Sequence, residues 1–129
     1  SANSACAYAN VHDKTSKQKN NFSWSHFNCV DGHAVTSPAG SFLPNSYGLY
    51  DMLGNSLEWC SDWYGEKYYA NSPKNNPEGP TSGFDRVIRG GGWYINEGNL
   101  RSANRHGITP SNRGGRSGGF AFQRLNKCG

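Results

Sequence analysis

Four cysteines, four histidines and nine acids are the side chains of this 129-residue chain that could hold a metal, carry electrons or move a proton. Cys6, Cys29, Cys60 and Cys128 are widely spaced and form no C-x-x-C pair, which excludes a zinc ribbon and a thioredoxin-like redox motif. Cys6 and Cys29 lie in polar, turn-rich sequence where a covalent staple is useful, so a Cys6–Cys29 disulfide is expected, worth about 3 kcal/mol if unstrained. Cys60 follows Trp59 in an aromatic segment and reads as a buried thiol. A bonded first pair implies an oxidising compartment and favours an extracytoplasmic or cell-surface location. His12, His26, His33 and His106 show no H-x-x-H or similar spacing, and each reads as a surface or hydrogen-bonding residue.

The elements that must position these groups are short. Apolar residues make up 34% of the chain and mean hydropathy is −0.81, yet 13% is aromatic and there are 17 glycines. That balance indicates short strands and long loops with Trp and Tyr as the main core anchors, and it argues against long helices. The four Trp and six Phe argue against disorder. Residues 1–48 read as loop, with Asp13–Asn21 a polar surface excursion and Phe22, Trp24 and Phe27 anchoring back to the core. Ser56–Tyr64 alternates with a period of two and predicts a strand with bulky groups on both faces. Arg86–Arg89, Leu100–Arg105 and Phe120–Arg124 are further strand candidates. Tyr68–Gly83 reads as a long ordered loop, and Gly90–Asn99 and His106–Gly119 as glycine-rich loops. Ordering such loops costs entropy. Ions, arginine hydrogen bonds to carbonyls, or a partner are the candidates for holding them.

Net charge is +4, and the arginines concentrate from Arg86 onward, with Glu97 almost the only acid. They read as pairing with upstream acids or lining a solvated face. No nucleic-acid-binding motif accompanies them, which argues against nucleic acid as a partner. No stretch has the length of a membrane span, and no signal peptide is visible. The start at Ser1-Ala2-Asn3 reads as a processed product or a fragment.

Several phrases in order, Cys6–Asn10, Asn28–Gly32, Tyr47–Asn55, Leu57-Glu58-Trp59, Ser61–Tyr64, Asp85–Gly91, Arg101–Arg105 and Gly119-Phe120, resemble the formylglycine-generating enzyme (sulfatase-modifying factor) family. The resemblance implies an α+β, mostly irregular fold: the family's variant of the C-type lectin fold, with a small twisted antiparallel sheet and long loops. Residues 1–129 then correspond to one domain resembling the family's C-terminal half. A separate N-terminal half normally packs on it, so its loss should leave apolar surface uncovered unless a partner chain supplies it.

The resemblance also implies two structural calcium sites. One uses the side chains of Asn10 and Asp31 with the carbonyls of Val11 and His33. The other uses Asp51 and Glu58 with the carbonyls of Gly54 and Ser56. A hard cation wants several oxygens, and loop carbonyls with a few carboxylates provide them. The family's oxidases hold copper(I) on two cysteines shortly after the double-glycine turn. Here the matching stretch, Gly90 to Leu100, has no cysteine. Copper(I) requires soft ligands, so neither copper nor formylglycine formation is expected.

Two loops remain as the expected functional face. They comprise Gly92, Tyr94, Ile95, Asn96, Gly98 and Asn99, then His106, Gly107, Ile108, Ser111, Gly114, Gly115, Arg116 and Ser117, with Ala121 beyond. Tyr, Asn, Ser and Gly in one stretch suit an adaptable binding loop. The pattern resembles variable proteins diversified by retroelements, in which asparagine codons are altered at adenines. The expected function is therefore non-catalytic binding or display, toward a protein or other macromolecular ligand. The alternatives are an oxidoreductase of the same superfamily with altered metal chemistry, or a fragment needing its N-terminal half.

Overall fold

The structure is a computed structural model, described here over residues 4–112. Helix α1 spans Ala5–Tyr8 and α2 spans Lys14–Asn20, followed by strands β1 (Glu58–Trp63), β2 (Arg86–Arg89) and β3 (His106–Ile108). A 3-10 turn at Tyr68–Ala70 interrupts the long loop between β1 and β2. The strands form an antiparallel sheet in the order β1-β2-β3. Glu58 faces Arg89 and Trp59 faces Ile88, but the register slips before Trp63 meets Arg86. In the second pair, Arg86, Val87 and Ile88 face Ile108, Gly107 and His106.

The first 48 residues depart from the expected loop. Asp13–Asn21 is a capped helix rather than a surface excursion. Asp13 accepts from the Ser16 amide at 2.8 Å, and the Ser16 hydroxyl returns to the Asp13 amide at 3.0 Å. This reciprocal capping satisfies orphan amides at the first turn. Asn21 ends the helix in the left-handed region, and Lys17 and Lys19 sit in the last turn, where a cation complements the helix dipole. Seven residues would be marginal alone. The flanking chain holds them, with Lys14 donating to the Cys29 carbonyl and Phe27 to that of His12. Capping by Asp-x-x-Ser was the signal for this helix, and a polar composition concealed it.

The expected Leu100–Arg105 strand is not formed; its chain turns, and the strand is the next segment, His106–Ile108. The candidate at Phe120–Arg124 lies outside the described residues. The core is also more aliphatic than expected. Ala9, Val11 and Phe27 cluster under the disulfide, while Leu57, Cys60, Val87, Ile88 and Trp93 are buried elsewhere. Trp93 is the one described tryptophan that is buried. Tyr64 and Tyr69 instead lie partly exposed against arginines.

Where acids or a solvated face were expected as their surroundings, Arg86, Arg89 and Arg105 lie against aromatic rings and backbone carbonyls. Arg86 lies over the Trp63 ring at 3.5 Å and donates to the Ser61 carbonyl. Arg105 sits against Tyr64 and Tyr69, at 4.7 and 4.4 Å from their ring centres, and donates to the carbonyls of Gly65 and Glu66. Arg89 donates to the Tyr69 hydroxyl and the Ser102 carbonyl. A guanidinium is flat, weakly hydrated and rich in donors, so it can stack on a ring and bind carbonyls together. Arginine hydrogen bonds to carbonyls, one of the three candidates for ordering the long loops, are therefore present at Gly65, Glu66, Ser61 and Ser102.

Candidate functional site

The cysteines set the frame. Cys6 and Cys29 are bonded, with Cα atoms 6.0 Å apart. Cys60 is buried as expected but is itself disulfide-bonded rather than a thiol, so none of the described cysteines is free. The aromatic setting of Cys60 indicated burial correctly and carried no information on bonding.

The central joint is Asn55, which the sequence reading did not single out. Its side-chain oxygen accepts from Asn10 Nδ2 at 3.1 Å and from the Ser37 amide at 2.8 Å, and its Nδ2 donates to the Ser37 carbonyl. Its backbone amide donates to the Asn10 carbonyl at 2.7 Å, and its carbonyl accepts from Trp93. One residue thus ties the N-terminal segment to the loop after β2. Gly54 beside it has φ +79°, and a Cβ there would lie 2.2 Å from the Asn10 carbonyl oxygen.

At the first expected calcium set, Asn10 is fully buried and its Oδ1 has no hydrogen-bond partner among the described residues, while its Nδ2 is used twice. An orphaned buried oxygen is costly and suits a cation. The Asp31 carboxylate accepts from the Val11 and His33 amides, both at 2.8 Å. Burial raises the Asp31 pKa, these two amides oppose the rise, and the Asp13 carboxylate adds to it.

The second set lies beside the turn that Asn55 anchors. Gly54 donates to the Gly90 carbonyl at 2.7 Å, closing this turn onto the end of β2. A Cβ on Gly90 would lie 3.7 Å from the Ser56 carbonyl oxygen and 4.0 Å from Glu58 Oε2, so those two oxygens converge there. Burial, and then the Asp51 carboxylate, hold the Glu58 carboxyl above its ordinary value. Asp51 also accepts from the Gly40 amide, and the Gly54 carbonyl accepts from Ser56 at 2.6 Å. Two half-buried carboxylates that repel each other beside loop carbonyls have the donor chemistry of a hard-cation site. Both carboxylates line a cavity of about 620 Å³ whose mouth carries Tyr8, Leu43, Leu49 and Met52, each about half exposed.

The loop after β2 is built from successive turns: Ile95 donates to the Gly92 carbonyl and Asn99 to both oxygens of Asn96. Trp24 Nε1 donates to the Tyr94 carbonyl at 3.0 Å. Trp24 stacks on Phe22, which contacts His12 and Trp93. His12 is fully buried, not a surface residue, and bonds Ser16 Oγ at 2.9 Å. Burial, and then His26, lower its pKa.

The expected functional face is only partly assembled. Gly92 is buried, Tyr94, Ile95 and Asn96 are half-buried, and Gly98 and Asn99 are exposed. His106 lies opposite Ile88, at the sheet end where β2 leaves for this loop, whereas Ile108 and then Ser111 lie toward the other end. Gly107 is not free to vary, because a Cβ there would meet the Tyr64 ring at 2.7 Å. Gly114, Gly115, Arg116, Ser117 and Ala121 lie outside the described residues.

A small α+β scaffold of three short antiparallel strands, with loops tied by side-chain hydrogen bonds and a disulfide, is the class that fold and site define. The chain belongs to the sulfatase-modifying factor enzyme 1-like domain family, whose model matches residues 2–121. It is 43% identical over 91 residues to a formylglycine-generating enzyme of Streptomyces coelicolor, covering 68% of this chain and 29% of that protein. Its fold is similar to that of PvdO from Pseudomonas aeruginosa, with TM-score 0.60, 31% identity, and coverage of 82% of this chain and 35% of that one. It is also similar to Treponema denticola variable protein 1, with TM-score 0.57, 31% identity, and coverage of 83% and 32%. The chain thus spans about a third or less of the length of each.

Proposed function

We propose that the chain is a non-catalytic binding or display domain that engages a protein or other macromolecular ligand through the loop after Gly91 and the segment after Arg105. The observation that carries this reading is the cysteine-free stretch after the Gly-Gly turn, whose loop is braced from beneath by Asn55 and Trp24 and exposes Gly98 and Asn99. A braced loop presents side chains at low entropic cost. The likeness to a variable protein supports retroelement-driven diversity at Tyr94, Ile95, Asn96, Gly98, Asn99, His106, Ile108 and Ser111, whereas packing argues against Gly107. Among the described residues no helix is long and apolar enough to cross a membrane, and the bonded Cys6–Cys29 pair fits an oxidising compartment.

A variant combining Asn96→Tyr and Gly98→Arg should melt within about 0.5 kcal/mol of the parent, as surface substitutions do. It should also elute at the same volume as the parent chain in gel filtration. Gly107→Ala should lose roughly 2 kcal/mol through overpacking. Unfolding of the loop variant would overturn the reading, as would aldehyde formation on a cysteine-containing sulfatase peptide by the copper(I)-treated protein.

One observation favours a second reading, a fragment whose missing N-terminal half closes the cavity. Tyr8, Leu43, Leu49 and Met52 form a half-exposed apolar rim around it. An aggregating parent chain in the same gel filtration would favour it.

We also propose structural calcium at the Asp51, Glu58, Gly54 and Ser56 oxygens, and at Asn10, Asp31, Val11 and His33. At a hundredfold excess over its Kd, calcium should stabilise by roughly 2.7 kcal/mol. Melting in chelator and in calcium checks this, with Glu58→Gln losing the response of the second site. Equal melting temperatures in both solutions would exclude the assignment.

A further inference from the structure

The Cys6–Cys29 disulfide has an electrostatic neighbourhood that its role as a staple does not require. Cys6 Sγ and one carboxylate oxygen each from Asp13 and Asp31 lie within 4.8 Å of one another. Neither carboxylate can easily turn away. Asp13 is fully buried, with one oxygen accepting from the Ser16 amide at 2.8 Å and the other from the Asp31 amide at 2.7 Å. Asp31 is held by the Val11 and His33 amides. Cys6 and Cys29 themselves are only half-buried, so a small thiol can approach.

Thiol–disulfide exchange places negative charge on the sulfurs. A thiolate attacks one sulfur, a new S–S bond forms, and the other cysteine leaves as a thiolate. A second reductant thiolate then breaks the mixed disulfide, which leaves two protein thiols and one oxidised reductant. Attack at Cys6 must bring an anion up to both carboxylates. Attack at Cys29 avoids that approach but expels the thiolate on Cys6, beside the same two charges. Both directions are slowed, and attack at Cys6 is the one that discriminates by the reductant's own charge.

We propose that Asp13 and Asp31 form an anionic lock on the Cys6–Cys29 disulfide, which slows thiolate attack and selects against negatively charged reductants. In the calcium-free chain the bond is then resistant to anionic thiols of the glutathione kind while staying open to cationic or neutral ones, and a calcium ion on Asp31 would cancel that selection. The scale follows from Coulomb's law. Two carboxylates about 5 Å from a developing charge repel it enough, even at the dielectric of water, for a rate effect of roughly tenfold.

The test uses the whole chain at low salt in chelator and three thiols: anionic mercaptoethanesulfonate, neutral mercaptoethanol and cationic cysteamine. Each rate is divided by that thiol's rate on neutral hydroxyethyl disulfide, which removes intrinsic nucleophilicity. Alkylation followed by peptide mapping reads Cys6 and Cys29 separately from Cys60. The normalised rate should rise about tenfold or more from the anionic to the cationic thiol. Asp31→Asn should narrow that gap severalfold. So should Asp13→Asn, which retains a capping oxygen for α2, and 1 M salt should narrow it without any substitution. Equal normalised rates for the three thiols in the parent chain would overturn the proposal, as would a gap unmoved by both substitutions and by salt. A variant that unfolds would speed all three thiols alike, and the salt series on the parent chain then decides.

Discussion

Gly54→Ala is expected to destabilise the protein by roughly 4 kcal/mol, at the upper end for a single substitution. Two causes add. The backbone at Gly54 has φ +79°, which an L side chain rarely adopts, and the new methyl would sit 2.2 Å from the Asn10 carbonyl oxygen. The methyl meets backbone, which has no rotamer through which to yield. Relief requires moving the strand of chain that carries Asn10, and with it the Asn55 to Asn10 hydrogen bond. Gly48→Ala is the control: its φ is +75°, but nothing lies within 4 Å of its Cβ position. It should lose about 1 kcal/mol from conformational strain alone. Urea denaturation of both variants measures the difference, and equal losses would show that the contact with Asn10 carries no weight.

Removing the first disulfide is expected to be the next largest change. The bond closes a sequence separation of 23 residues, for which loop-closure entropy gives about 3 kcal/mol. The double variant Cys6→Ser with Cys29→Ser avoids stranding a reactive thiol. Its melting temperature should fall by on the order of 10 °C, given the entropy of unfolding of a domain this size. The effect should centre on α1, α2 and the cluster of Ala9, Val11 and Phe27 that lies under the bond. Amide hydrogen exchange would show it as lost protection in residues 5–31, with the sheet less affected. Unchanged melting and uniform protection would mean that capping and hydrogen bonds alone hold this region.

The parts of the fold that were legible in the sequence are those governed by local chemistry. Arg86–Arg89, with the β-branched pair Val87 and Ile88 at its centre, forms a strand within the expected bounds, and the period of two in Ser56–Tyr64 located β1. Cys6 and Cys29 announced their bond through the polar sequence around them. Legibility stopped where long-range geometry decides. Leu100–Arg105 has a strand-like composition, but hydrogen bonds from Arg101 and Asn104 to nearby carbonyls turn it, which leaves His106–Ile108 to pair. The arginines could not be matched to Trp63, Tyr64 and Tyr69 without knowing which loops return past the sheet. Gly107 read as an adaptable loop position because the sequence gives no sign that Tyr64 lies across from it. Of the site, the converging oxygens around Gly90 followed from the family resemblance, while Asn55 as the joint did not.

The bonds made by Asn55 bear on how the polypeptide reaches its native state. They join it to Asn10, Ser37 and Trp93, and separations of 45 and 18 residues divide it from the first two. Closing such distances must precede any reward from the contacts, so the chain searches through much of its length before this joint can form. With helices of four and seven residues, little local order is available to shorten that search. Slow, cooperative assembly follows, with millisecond-to-second kinetics of the kind seen in topologies dominated by distant pairings.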